Sequence, residues 1–173
     1  DGFVYAQPLY LAAVSIPGQG TRNVVFIATE HNSVYAFDAD RKEGDSEKPL
    51  WHVNFNDSAK GETSVPVMDL GLTPELPELG ITGTPVIDPE TETLYVVARF
   101  KVAGPGRPTY TKRLYALDIR TGANRPGSPV EIQASTQGSG IGSVNGRIDF
   151  DFLYQFQRPG LLLLNGVVYI GFS

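Results

Sequence analysis

The sequence predicts an all-β protein, and three observations carry the prediction. Gly (19) and Pro (13) make up about a fifth of the 173 residues. They recur between short runs rich in Val, Ile, Leu, Tyr and Phe, the punctuation of strands and tight turns. Those runs show no helical periodicity. Whole phrases also repeat: "SVYAFDAD" at Ser33 to Asp40 returns as "RLYALDIR" at Arg113 to Arg120, and a repeated phrase implies a repeated structural unit.

Aligning Pro8, Pro85 and Pro159 sets three units in register, the first two Pro residues 77 positions apart and the next two 74. The first unit reads "AQPLYLAAV", "NVVFIATE", "SVYAFDAD" and "PLWHVNF"; the second reads "ITGTPVID", "TLYVVARF", "RLYALDIR" and "SPVEIQA". A third begins with "RPGLLLLN" and "GVVYIGFS". Four consecutive strands joined by Gly, Pro and Asx turns, repeated along a chain, are the four-stranded antiparallel blades of a β-propeller. The expected organisation is a blade over residues 1–55, a long loop over 56–80, a second blade over 81–134, a loop with an extra strand over 135–157, and the start of a third blade over 158–173. Radial stacking covers a sheet on both faces, which explains why "VYAF" and "LYAL" do not alternate with polar residues. Asp38 and Asp118 end these strands and, with Thr121, are read as turn caps rather than catalytic groups, since carboxylates and hydroxyls there accept backbone N–H bonds.

A formal net charge of −5 without a Lys/Arg cluster argues against a nucleic-acid partner, because phosphate binding needs a concentrated basic surface. No apolar run approaches the roughly 20 residues that span a bilayer; "GLLLLNGVVYIGF" is broken by Asn and Gly. Zero cysteines remove disulfides, thiolate catalysis and Cys-based metal sites. "DADRKEGDSE" (Asp38 to Glu47) lacks the ligand spacing of a calcium loop and is expected as a hydrophilic hairpin. "GSGIGS" at Gly138 has no strand-to-helix setting and is expected as a turn. The two histidines, His31 and His52, form no metal or nucleophile pattern.

"ALDIRTG" (Ala116 to Gly122) and "AFDAD…PLW" (Ala36 to Trp51) resemble imperfect copies of the A-x-D-x-x-T-G-x-x-x-W repeat of pyrroloquinoline-quinone (PQQ)-like propellers. "GTPVID…TLYVVA" and "RPGLLLLNGVVYIGF" are similar to that repeat's first two strands. The resemblance implies that Ala36, Trp51, Ala116 and Gly122 dock adjacent blades. In the second copy Ile132 stands near the place of the Trp. It also implies an extracytoplasmic, periplasmic or secreted bacterial protein. Members of the family that are dehydrogenases use a calcium-bound quinone beside an adjacent-cysteine disulfide, and this chain has no Cys. The expectation is therefore a non-catalytic scaffold or binding surface for a protein or glycan, without a cofactor; PQQ and calcium enter only if the chain is a piece of such a dehydrogenase.

A repeat of this kind usually needs about 40–45 residues, and the surplus falls mainly at Asn56 to Gly80 and Ser135 to Gln157, with a smaller share at Lys101 to Tyr110. In an up-and-down sheet these connections emerge at one end, which makes that end the candidate binding surface. Its candidate residues are Glu30, His31, Glu62, Asp69, Arg147, Asp149 and Arg158. The first loop also holds Asp57, Glu75 and Glu78 against the single Lys60, without regular ligand spacing, and reads as solvated. "RIDFDFLYQF" (Arg147 to Phe156) alternates apolar with mostly polar residues and predicts a strand whose aromatic face packs as satellite core. Two blades and part of a third do not close a ring of about four to eight, so the expected partners are the remainder of a longer propeller chain or identical subunits that complete the ring.

Overall fold

The structure is a computed structural model describing residues 1–44, 47–71 and 76–173. It is all-β. The first sheet is an antiparallel meander of β1 (Leu9–Ile16), β2 (Gly20–Ala28), β3 (Ser33–Asp38) and β4 (Trp51–Asn54), in that order. β1 shifts register between Leu11 and Val14. There Ala13 takes a left-handed φ of 59°, and its N–H donates to Asn23 Oδ1 at 3.1 Å, so a side chain supplies the partner that the bulge removes from the ladder.

Two 3₁₀ turns (Ser58–Lys60 and Val67–Leu70) and two short strands, β5 (Glu62–Thr63) and β6 (Val65–Pro66), follow, and β6 pairs with β7 (Glu78–Leu79). The second sheet is built on β8 (Val86–Asp88), β9 (Thr93–Val102), β10 (Thr109–Asp118) and β11 (Val130–Glu131). β9 and β10 pair over their whole length, from Thr93 opposite Asp118 to Val102 opposite Thr109. The other edge of β9 is shared: β8 pairs with Thr93 to Tyr95, and β5 pairs with Lys101 and Val102. Two hairpins complete the chain, β12 (Ser135–Gln137) with β13 (Arg147–Asp149) and β14 (Leu162–Leu164) with β15 (Val167–Tyr169).

Strand alternation gives each sheet two faces, and the core lies where one face of the first sheet meets one face of the second. Val24, Phe26, Ala28, Val34, Ala36 and Trp51 pack against Leu94, Val96, Ala98, Phe100, Tyr115 and Leu117. Each fully buried large side chain of this set stabilises the junction by about 1.5–3 kcal/mol. Trp51 seals one end, its Nε1 donating to the Ile119 carbonyl at 2.8 Å and its ring lying 5.8 Å from that of Phe26. Gly122 is required beneath it: a Cβ there would stand 2.7 Å from the Trp51 ring, and its φ of 73° disfavours any other residue. At the other end Phe55 stacks on Tyr115 at 3.9 Å.

The remaining two faces differ from the expectation that both sides of each sheet are covered. On the first sheet Val25, Ile27, Tyr35 and Phe37 are half-buried, with Tyr35 stacked on Phe37 and His52. On the second, Tyr95, Leu114, Ala116 and Val130 line an open groove of about 450 Å³. Ala36 is thus fully buried in the junction, whereas its counterpart Ala116 faces the groove. The strand expected over Arg147 to Phe156 ends at Asp149. Asp151 turns the chain, its carboxylate accepting the N–H groups of Leu153 and Tyr154 at 2.9 and 3.0 Å, as Asx side chains do in turns.

Candidate functional site

The turn between β2 and β3, the segment 56–80 and the loop after β9 meet at one end of the two sheets. Asn32 Nδ2 donates to Asn56 Oδ1 at 2.9 Å and to the Arg99 carbonyl at 2.8 Å, and the Ala103 N–H donates to the Gly61 carbonyl at 2.9 Å. Residues 150–157 lie over the same end as a strap. Its Phe152 and Leu153 carbonyls accept hydrogen bonds from Lys112 Nζ and Arg99 Nη2.

Glu30 is fully buried, its Oε2 accepting from the Gly80 N–H at 2.7 Å and the Thr82 hydroxyl at 3.1 Å. Burial pushes its carboxyl above the usual range; those two bonds and the nearby Arg99 oppose the shift. A Cβ at Gly80 would collide with Glu30 O and Asn32 Oδ1, which explains the glycine in "LGITGTP". Arg99 and Lys112 are directly opposite each other across β9 and β10 and are 4% and 1% exposed. Arg99 is lowered to about 10, mainly by burial and against the pull of Glu30. Lys112 is lowered to about 7 by burial and then by Arg99. The strap's rings cover both, Phe150 and Phe152 beside Lys112 Nζ at 5.3 and 5.8 Å and Phe156 4.6 Å from the Arg99 guanidinium, within the range of cation–π attraction.

The rim is also tied together by carboxylates. His31 Nδ1 lies 2.6 Å from Glu78 Oε1, and the other Glu78 oxygen accepts from the Ser64 hydroxyl. The serine therefore bonds the carboxylate and not the imidazole, which is not the wiring of a nucleophile with its base. Glu62 makes a bidentate pair with Arg113 at 2.6 and 2.8 Å, which holds its carboxyl below the usual range. Asp69 joins Lys101 at 2.7 Å and the Tyr110 hydroxyl at 2.9 Å; burial and then Asp69 push the Tyr110 phenol up.

Of the sequence candidates, Glu30, His31, Glu62 and Asp69 fall within this end, and Arg158 lies against the strap with its guanidinium 5.0 Å from the Phe156 ring. Arg147 and Asp149 pair with each other at 2.6 Å on the exposed β12–β13 hairpin, and neither joins the buried cluster. Glu75 lies outside the described residues. The turn carboxylates sit at strand ends: Asp38 accepts from the Asp40 N–H at 3.0 Å, Asp118 from Arg120 at 2.8 Å, and Thr121 Oγ1 from Ala123 at 3.2 Å. Sequence reasoning missed Asn32, Ser64, Arg99, Lys112 and Gln157. A signal existed for two of them, since period-2 counting puts Arg99 and Lys112 on the same face as Val97 and Leu114.

The geometry defines an all-β chain of docked antiparallel sheets with a polar, loop-bearing end whose buried charges are held by a strap. Comparison with protein-family models, curated proteins and solved structures found no match. Among the described residues no His, Cys, Asp and Glu side chains group to hold a metal ion, and no helix is long and apolar enough to cross a membrane.

Proposed function

We propose that the chain is a segment of an extracytoplasmic, PQQ-like β-propeller, and that its loop-bearing end is a non-catalytic binding surface for a protein or glycan. The docking of Trp51 over Gly122 supports the propeller reading, because the repeat supplies both residues and the second sheet repeats the order of the first. The open groove by Ala116 and the half-buried aromatic face of the first sheet are the surfaces on which further sheets of a longer chain, or of identical copies, continue the stack.

The observation that carries the binding reading is the rim of the loop end. Tyr154 (58% exposed) and Met68 (68% exposed) flank the Tyr110–Asp69–Lys101 group there. Exposed aromatic rings beside anchored polar groups suit sugar faces and peptide side chains. Titration with cellohexaose, and separately with PQQ plus calcium, tests the reading. Saturable oligosaccharide binding that weakens at least about tenfold in Tyr154→Ala supports it. Saturable quinone binding with reduction of an electron-accepting dye overturns it in favour of a quinone-dependent dehydrogenase.

A further inference from the structure

The second sheet repeats the first strand for strand, and one place in the repeat is filled in the first and open in the second. In the first sheet Ala36 stands between Phe26 on β2 and Trp51 on β4. The Trp51 ring lies beside that of Phe26, on the face where Ala36 is fully buried. In the second sheet Ala116 stands opposite Tyr95 on β9, but β11 does not reach its other side. The turn from Arg125 to Ser128 takes that place: the Arg125 N–H donates to the Ala116 carbonyl at 2.8 Å, and Ser128 Oγ accepts from the Ala116 N–H at 2.9 Å. Neither this turn nor β11 carries an aromatic residue. The outcome is the groove of about 450 Å³, set between Tyr95, Leu114 and Ala116 of the long strands and Arg125, Ser128 and Val130 of the turn and β11.

We propose that this groove is a binding site for a small, uncharged, planar aromatic molecule, taken up where the first sheet seats the indole of Trp51.

The lining supports the assignment. The volume falls within the range of about 300–1,000 Å³ that small-ligand sites occupy, and apolar walls with a few placed polar groups are their usual chemistry. Arg125 is one such group. Its Nη2 donates to the Thr91 and Glu92 carbonyls at 3.0 and 2.8 Å, and its Nη1 lies 3.3 Å from Asp118 Oδ2. A guanidinium held by three partners presents a fixed plane on which an aromatic ring stacks. Asp118 already matches its charge, so the groove calls for a neutral ring and not for an anion. Ser128 Oγ accepts from Ala116 and donates to Asn124 Oδ1, which leaves one lone pair for a ring N–H, the service that the Ile119 carbonyl performs for Trp51. The inference rests on the likeness of the two sheets within this chain. A further sheet on this face closes the groove over the bound ring and is not needed for binding, so failure of the test leaves the propeller reading untouched.

The test titrates the whole chain with indole, and separately with cyclohexanol, and follows backbone amide shifts by NMR. The expected result is saturable indole binding with a dissociation constant of about 1 mM or tighter, shifts centred on Tyr95, Ala116, Gly127 and Val130, and cyclohexanol binding weaker by at least about tenfold because it is not planar. Two variants fill the groove from different sides, Ala116→Phe from β10 and Ser128→Trp from the turn. Each is expected to weaken indole binding by at least about tenfold. Shifts that do not saturate or that centre elsewhere overturn the proposal. So do equal affinities for indole and cyclohexanol, or indole binding undiminished in a folded variant of either kind.

Discussion

The two faces of the β9–β10 pair share one backbone and one register yet live in different chemistry. On the face toward the first sheet, Leu94, Val96, Ala98, Phe100, Tyr115 and Leu117 are buried in an apolar junction sealed by Trp51. On the other, Tyr95, Leu114 and Ala116 line an open groove, and further along the same face, past the buried Val97, Arg99 and Lys112 are buried as cations under a strap. A run such as "LYAL" therefore reports how apolar a strand is, but not which of its faces is already covered. It also separates two kinds of burial. The junction is buried by transfer of apolar area, which is favourable by itself; the charged end is buried only because carbonyls, ring faces and Glu30 offset the desolvation of its ions.

Substitutions on the two faces separate these kinds of burial by experiment. Trp51→Ala has the largest expected effect, because it removes an aromatic side chain and leaves the Ile119 carbonyl without its donor. Urea unfolding is expected to show a loss of about 3–5 kcal/mol. At the charged end the expected sign is opposite. Lys112→Met is expected to stabilise the fold by about 1–3 kcal/mol, because it replaces a buried cation that faces Arg99 with an apolar group of similar length. The gain depends on pH in a definite direction. The unfolded lysine keeps its proton up to its ordinary 10.5 and the folded one releases it near 7, so across that interval the unfolded state binds more protons and wild-type stability rises with pH. The advantage of Lys112→Met is thus greatest at and below pH 7 and fades toward pH 10.5, which unfolding at a series of pH values measures.

The smallest effect is expected at the Glu62–Arg113 pair, which fastens β5 to the second sheet. Its carboxyl is held low by Arg113, so its contribution is present above the ordinary carboxylate range and is lost as pH falls through the lowered folded value. Glu62→Gln is expected to cost about 1 kcal/mol at pH 7, with the gap to wild type closing under acid conditions.

The strand order is legible in the sequence because Gly, Pro and Asx turns divide apolar runs at regular intervals, whereas Trp51 and Gly122 are singled out only through the resemblance to the PQQ-like repeat, since the repeated phrase itself contains neither. The strap is not legible. Ile148, Phe150, Phe152, Tyr154 and Phe156 alternate like a strand, but Asp151 captures two backbone N–H groups and Lys112 and Arg99 take two carbonyls. Those partners come from 40 and 54 residues away, so local alternation carries no trace of them. The buried cations were hidden for a related reason: Arg99 stands next to the last residue of one apolar run and Lys112 just before the start of another, where charged residues ordinarily mark the approach of solvent. Glu30 and His31 were legible as polar residues in a turn, while the bonds of Glu30 to Gly80 and Thr82 depend on how segment 56–80 returns to the sheet.

The central claim is that the β9–β10 pair is buried on one face by docking of the first sheet and left open on the groove side of the other. Paired unfolding measurements on Leu117→Ala and Leu114→Ala test it most directly, since the two residues lie on one strand and undergo the same chemical change. Leu117→Ala is expected to lose about 3–5 kcal/mol and Leu114→Ala less than about 1.5 kcal/mol. Equal losses, or a larger loss at Leu114, would contradict it.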